Sequence, residues 1–170
     1  MDIDVITPAW LSWARTEIGI REIVGAQHNP RVLDYWRIGR VPLQVNDDET
    51  PWCAAFACAA IEAASVRSPR TPRARGFADS PHTVECDARL GAIVVLSSSR
   101  GPASGHVGFL TGIGNGQLIL LGGNQGNRVC EAPFSASKLV ALRWPANGGD
   151  WRDYPKAPAI SAKGVPVSDG

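Results

Sequence analysis

The sequence predicts an α+β domain, with N-terminal helices packed on an antiparallel sheet of about five strands. Three observations carry this. Up to about Ser65, apolar residues recur at helical spacing between capping and stop residues. From Gly91 onward the texture changes to short apolar runs bounded by turn residues. Between two of those runs stands Asn115-Gly116, a strong hairpin signal, which makes the strands antiparallel neighbours and not the ends of crossover helices.

The first helix is read in "TPAWLSWARTEIGI". Thr7 is the cap, Pro8 fits the first turn, Trp10, Leu11, Ala14 and Ile18 share a face, and Gly19 is the stop. "REIVGAQHNP" is a loop by its Gly, Asn and Pro content. "NPRVLDYWRIG" is a second short helix, capped by Asn29, with Pro30 in its first turn and Gly39 at its end. The third helix is placed over residues 51–65, with Thr50 as cap and Pro51 first, which makes Cys53 its third residue. Its many alanines suit close approach to a sheet. "VRSPRTPRARGFADSP", with Arg67, Arg70, Arg73 and Arg75, reads as a solvated, poorly ordered loop. "GAIVVL", "GHVGFLTG", "QLILLGG", "NRVCEAPF" and "KLVALRWP" supply the strands. The division expected is a domain over residues 1–145 and an extended Pro/Gly-rich tail over 146–170, with Trp151 and Tyr154 packing back.

Bulk properties narrow the function. A chain of 170 residues, 44% hydrophobic and 19% charged, buries a sizeable core as one domain. A net charge of +1 gives no global field for nucleic acid or an anionic membrane. No apolar run reaches the roughly 18–20 residues that span a bilayer. "MDIDVITPAW" lacks a basic-then-apolar leader, so the expectation is synthesis in the cytoplasm and export by another route. The four cysteines at 53, 58, 86 and 130 form no C-x-x-C pair and no zinc spacing. No metal or cofactor is expected, and free thiols are the default, with Cys86 and Cys130 the one pair to test for a disulfide.

Chemistry is sought at Cys53. A thiol in the first turn of a helix faces unpaired backbone N–H groups and the positive end of the helix dipole, both of which favour the thiolate. On the local pattern alone it fits equally well a small buried residue in an apolar helix. Cys58, rotated by roughly 140° about the helix axis, cannot share that setting and reads as an ordinary core cysteine. A thiol nucleophile needs a base. His28 and His82 lie in loops, whereas His106 in "SGHVGFL" opens a strand. Its second nitrogen needs an orienting acceptor. Counting back from the Asn115-Gly116 turn along both strands puts Asn124, in "LGGNQG", at the same open end as His106. Asn124 also fits a plain turn residue.

Taken together, "PWCAAF", "SGHVGF" and "LGGNQG", with "EIGIREIVGAQHNPRVLDYW" ahead of them, resemble small CHAP/NlpC-like cysteine peptidoglycan hydrolases of phage lysins and interbacterial toxins. The resemblance runs from about Pro8 to Pro145. It implies a papain-like fold and hydrolysis of an amide or peptide bond in the cell-wall peptide stem. It implies Cys53 as nucleophile, His106 as base and Asn124 as the orienting third residue, with Trp52, Glu49 and Gln125 toward the substrate. It implies no cofactor, a monomer, and action in the periplasm or wall after holin release or secretion, with an immunity protein as partner if the protein is a toxin. Two other readings differ in testable ways. A non-catalytic wall-binding module would be indifferent to His106, and a papain-fold acyltransferase would want a more apolar groove.

Overall fold

The computed structural model describes residues 6–25 and 27–160. Three helices, α1 (Ala9–Thr16), α2 (Pro30–Ile38) and α3 (Cys53–Ala63), precede six strands. The strands are β1 (Thr83–Glu85), β2 (Ile93–Ser97), β3 (Gly105–Gly114), β4 (Gln117–Gly122), β5 (Cys130–Ser135) and β6 (Leu139–Pro145). They form one antiparallel sheet in the order β1-β6-β2-β3-β4-β5. The α+β class follows as expected. The sixth strand is β1, a three-residue edge piece paired with β6 that carries no apolar run of its own.

Helix α3 is the centre of the molecule. Every residue from Cys53 to Ile61 is buried, against α1 and α2 on one side and β3 and β4 on the other. Alanines make this possible, because a helix without long side chains lets its neighbours' backbones close in. At Gly39, the residue that ends α2, an added Cβ would stand 2.8 Å from Cys58 Cβ. The fully buried Trp10, Trp52, Trp144, Tyr35 and Phe56 fill the remaining space. Trp10 and Trp144 meet edge-on at 4.9 Å, an arrangement favoured by the ring quadrupoles.

Local signals act where nothing competes with them. Asn29 caps α2 by accepting the Arg31 amide, with Pro30 first in the helix. Asn115 and Gly116 take the two positive φ values, 54° and 71°, of a tight hairpin turn. Elsewhere tertiary structure overrides them. α1 begins at Ala9 with Pro8, not Thr7, in the cap position. α3 begins at Cys53 with Trp52 as cap residue, so Cys53 is the first helical residue and not the third.

One other expectation is corrected. The arginine-rich segment is tied down: Arg70 forms an ion pair with Glu62 at 2.8 Å, and Arg75 donates to the Ser104 carbonyl. Ala74 and Phe77 in the same segment are buried. Residues 146–160 run along the domain. Their backbone pairs with Ala88, Leu90 and Ile113, and Tyr154 packs on Trp10 and Trp144 as the aromatic content predicted. Residues 161–170 lie outside the described region. Cys86 and Cys130 are both free, in line with the default of free thiols, because Cys86 follows β1 at one edge of the sheet and Cys130 opens β5 at the other. Five strand spacings of about 4.8 Å separate those edges, far beyond the reach of a disulfide. Among the described residues no helix is long and apolar enough to cross a membrane.

Candidate active site

The site is built where α3 starts and β3 and β4 part. Thr50 does not cap α3 because its amide and hydroxyl both donate to Asp47 Oδ1, at 2.6 and 2.9 Å. That closes a separate turn ahead of the helix. The acidic triplet therefore divides its duties. Asp47 holds the turn and Glu49 is exposed. Asp48 is fully buried and accepts the Ile23 and Asn29 amides and His28 Nδ1. Burial pushes the Asp48 carboxyl up, but the hydrogen bonds from Asn29, Ile23 and His28 outweigh it and hold it at about 2.

Cys53 is 8% exposed, more than any other residue in the first two turns of α3. Burial raises its thiol above the ordinary value, and the nearby backbone amides of Val107, Ala54 and Cys53 itself oppose that rise. The Val107 amide belongs to the peptide that joins it to His106, so the thiol rests on the backbone beside the histidine. No hydrogen bond joins Cys53 and His106 directly among the described residues. Cys58 is fully buried, with its thiol directed at the Thr71 carbonyl at 3.8 Å and raised by burial to about 11.

His106 opens β3 opposite Leu96 of β2. Its ring stacks on Phe134 of β5 at 5.1 Å, and its Nε2 lies 2.9 Å from Gln125 Oε1. The tautomer follows from the Gln125 amide. Gln125 Nε2 donates to the Leu120 and Cys130 carbonyls, at 3.1 and 2.7 Å, which fixes which end of the amide is oxygen. An amide oxygen only accepts, so His106 Nε2 carries the proton and Nδ1 is left with a free lone pair. Burial lowers the His106 pKa, and the Gln125 bond resists that in part, so the imidazole is neutral at pH 7.

The two glycines ahead of these amides make room for their neighbours. At Gly122 an added Cβ would stand 2.5 Å from Gln125 Oε1, so its absence makes room for the amide that faces His106. At Gly123 a Cβ would stand 2.6 Å from Phe56 Cβ and 2.7 Å from the Trp52 ring. The end of β4 thus meets the mouth of α3 with no side chain between them.

Of the six site residues expected, the structure brings Cys53, His106 and Gln125 into one corner. Asn124 shares that corner and lines a depression with His106, but sits in a left-handed turn with φ 57°. The group on His106 Nε2 is Gln125, one residue further on. Gln125 is also not free to contact a substrate, because both ends of its amide are engaged within the protein. Trp52 is fully buried, stacked on Tyr35 at 5.7 Å, and donates from Nε1 to Glu22 Oε1, so it belongs to the core and not to a groove wall. Glu49 lies with the turn ahead of α3. Sequence reasoning missed the role of Gln125, although "LGGNQG" shows two neighbouring amides that could each have faced His106.

The arrangement offers a thiol near the Val107 amide, a neutral imidazole on the residue before Val107 and a fixed amide behind that imidazole. Such a set can deliver sulfur to a carbonyl carbon and a proton to the departing amine. Among the described residues no group of three or more His, Cys, Asp or Glu side chains is placed to hold a metal ion. Neither protein-family models nor curated protein sequences give a match to this chain.

Proposed function

We propose that the protein is a cysteine amidase or endopeptidase with a papain-like fold that cleaves an amide bond in the peptide stem of peptidoglycan. The observation that carries the reading is the corner just described. Cys53 starts a buried helix against the Val107 amide, and His106 next to it has its tautomer set by Gln125. In the reaction, His106 Nδ1 takes the Cys53 proton as the sulfur attacks the carbonyl carbon. The oxyanion of the tetrahedral intermediate draws on the Cys53 backbone N–H, a kind of donor worth about 100- to 1000-fold in rate. The C–N bond breaks, the imidazolium returns its proton to the leaving amine, and a thioester remains. Water then attacks the thioester and gives its proton to His106. The carboxylic acid departs, and sulfur recovers a proton from the imidazolium.

The resting pair is a thiol and a neutral imidazole, because burial raises Cys53 and lowers His106. Proton transfer therefore accompanies attack and does not precede it. Action on the wall places the enzyme in the periplasm, reached after holin release or by secretion, and an antibacterial effector of this kind has an immunity protein as its partner. Purified wild type is expected to solubilise peptidoglycan sacculi, and Cys53→Ala to reduce the rate by about 1000-fold or more. Equal rates for the two would sink the reading.

A further inference from the structure

The segment from Gly19 to Ile23 is bonded to both halves of the catalytic corner. One half is the loop that carries Gln125. The Gly19 amide donates to the Val129 carbonyl, Arg21 bridges to Arg128, and the Glu22 amide donates to the Asn127 carbonyl at 2.9 Å. The other half is the mouth of α3. The Ile23 amide donates to Asp48, and Glu22 Oε1 accepts Trp52 Nε1 at 2.8 Å. Among the described residues, Glu22 is the one member of the segment bonded to both halves. Its amide reaches the chain two residues past Gln125, the group on His106 Nε2, and its carboxylate reaches the residue just before Cys53. Trp52 is fully buried and stacked on Tyr35, and a Cβ at Gly123 would stand 2.7 Å from its ring. An indole N–H only donates, so loss of the Glu22 carboxylate leaves a buried donor without an acceptor. A bare donor favours a shift of the ring, and the ring hangs on the backbone that delivers Cys53.

We propose that Glu22 is a positioning residue of the reaction. It holds Trp52, and with it the adjoining Cys53, at the spacing from the Gln125 loop that lets His106 take the thiol proton. The proposal rests on the hydrolase reading and names what sets the geometry of its corner. Cys53 and His106 share no direct hydrogen bond among the described residues, so the backbones that carry them set the approach of sulfur to Nδ1. A misplacement of about 1 Å can cost about 100-fold in rate, even when its cause lies away from the reacting atoms. Glu22 acts through Trp52 and touches neither reacting group, which separates it from the catalytic residues.

The test separates positioning from support of the fold. Alkylation by iodoacetamide, read by mass spectrometry on the Cys53 peptide, reports how readily that thiol gives up its proton. Glu22→Leu, of similar size but without an acceptor, is expected to slow it to the rate seen in His106→Ala. Glu22→Gln keeps an acceptor oxygen and should restore most of the wild-type rate. In His106→Ala, adding Glu22→Leu should change nothing further, because no base remains to be aimed at. On sacculi, Glu22→Leu should lower the saturating rate by about 10- to 100-fold and leave the half-saturating concentration unchanged. Trp52→Phe keeps a ring and removes the donor, and it should give the same losses, so it carries the test if Glu22→Leu does not fold. Equal alkylation in Glu22→Leu and wild type overturns the proposal. So does an equal loss with and without His106, which marks a general loosening. Should Glu22→Leu solubilise sacculi as fast as wild type, the positioning role falls and the hydrolase reading stands. Should the alkylation pattern hold while wild type leaves sacculi intact, the hydrolase reading falls and the positioning of the thiol stands.

Discussion

Two histidines in this molecule occupy opposite settings. His28 is at the surface with its Nδ1 3.0 Å from Asp48 Oδ1, and that hydrogen bond raises its pKa. His106 is half-buried against a neutral amide, and loss of solvation lowers its pKa. By appearance His28 and Asp48 form the better dyad, an imidazole on a carboxylate. Their surroundings assign them another job. The other oxygen of Asp48 takes the amides of Ile23 and Asn29, so the pair ties the loop before α2 to the turn before α3. The carboxylate favours the protonated form of His28. Burial favours the neutral form of His106, and the Gln125 amide sets which nitrogen is left free. The two imidazoles are thus biased toward opposite charge states by their surroundings.

The largest expected effect breaks this contrast directly. His106→Ala should lower sacculus solubilisation by about 100- to 10,000-fold, the usual range for a general acid–base group. A comparable loss in His28→Ala would erase the distinction. Next is Asp48→Asn, which should cost about 1.5–3 kcal/mol in urea unfolding, since an amide cannot accept all three donors as a carboxylate does. The acid side adds a check. Asp48 is held at about 2 in the folded protein and titrates near 3.9 when unfolded. The stability it contributes is whole above about pH 4 and is lost as pH falls toward about 2, and Asp48→Asn should flatten that slope.

Gln125→Glu sharpens the comparison by giving His106 the partner that His28 has. A carboxylate on Nε2 favours the imidazolium, so the acid limb of kcat/KM should move up by about 1–2 pH units. In wild type that limb should lie below the ordinary imidazole value of about 6.5. An unmoved limb would show that Gln125 does not govern the base. The smallest effect is expected from His28→Ala. Because the folded pKa of His28 is raised, the pair's contribution is present below the ordinary imidazole range and is lost as pH rises through the raised value. The Tm difference between His28→Ala and wild type should therefore be small, visible in mildly acidic buffer, and gone in alkaline buffer.

What could be read from the sequence divides along the same physical line. Asn29 before Pro30, and Asn115 before Gly116, encode their structures in adjacent residues, and both are read correctly because no distant partner competes. Thr50 misleads for the opposite reason. It is a good capping residue, but Asp47 three positions away takes both its donors. The arginine-rich segment reads as solvated until Glu62, on a helix, supplies a partner for Arg70. Cys53 and His106 stand out by residue type and place in the pattern. The choice between Asn124 and Gln125 depends on which amide the chain turns inward. That is decided by the Leu120 and Cys130 carbonyls and by the space over Gly122, none of which a linear pattern displays.

The loop from Gly123 to Val129 carries a further lesson. Its course is fixed by backbone bonds to residues 19–22 and by the inward side chain of Gln125. Residues Gly126, Asn127 and Arg128, by contrast, are all exposed. The loop is therefore modular in an evolutionary sense. Arg128 can change without touching the amide that faces His106, whereas Gly126 and Asn127 are held to residues that tolerate a left-handed backbone.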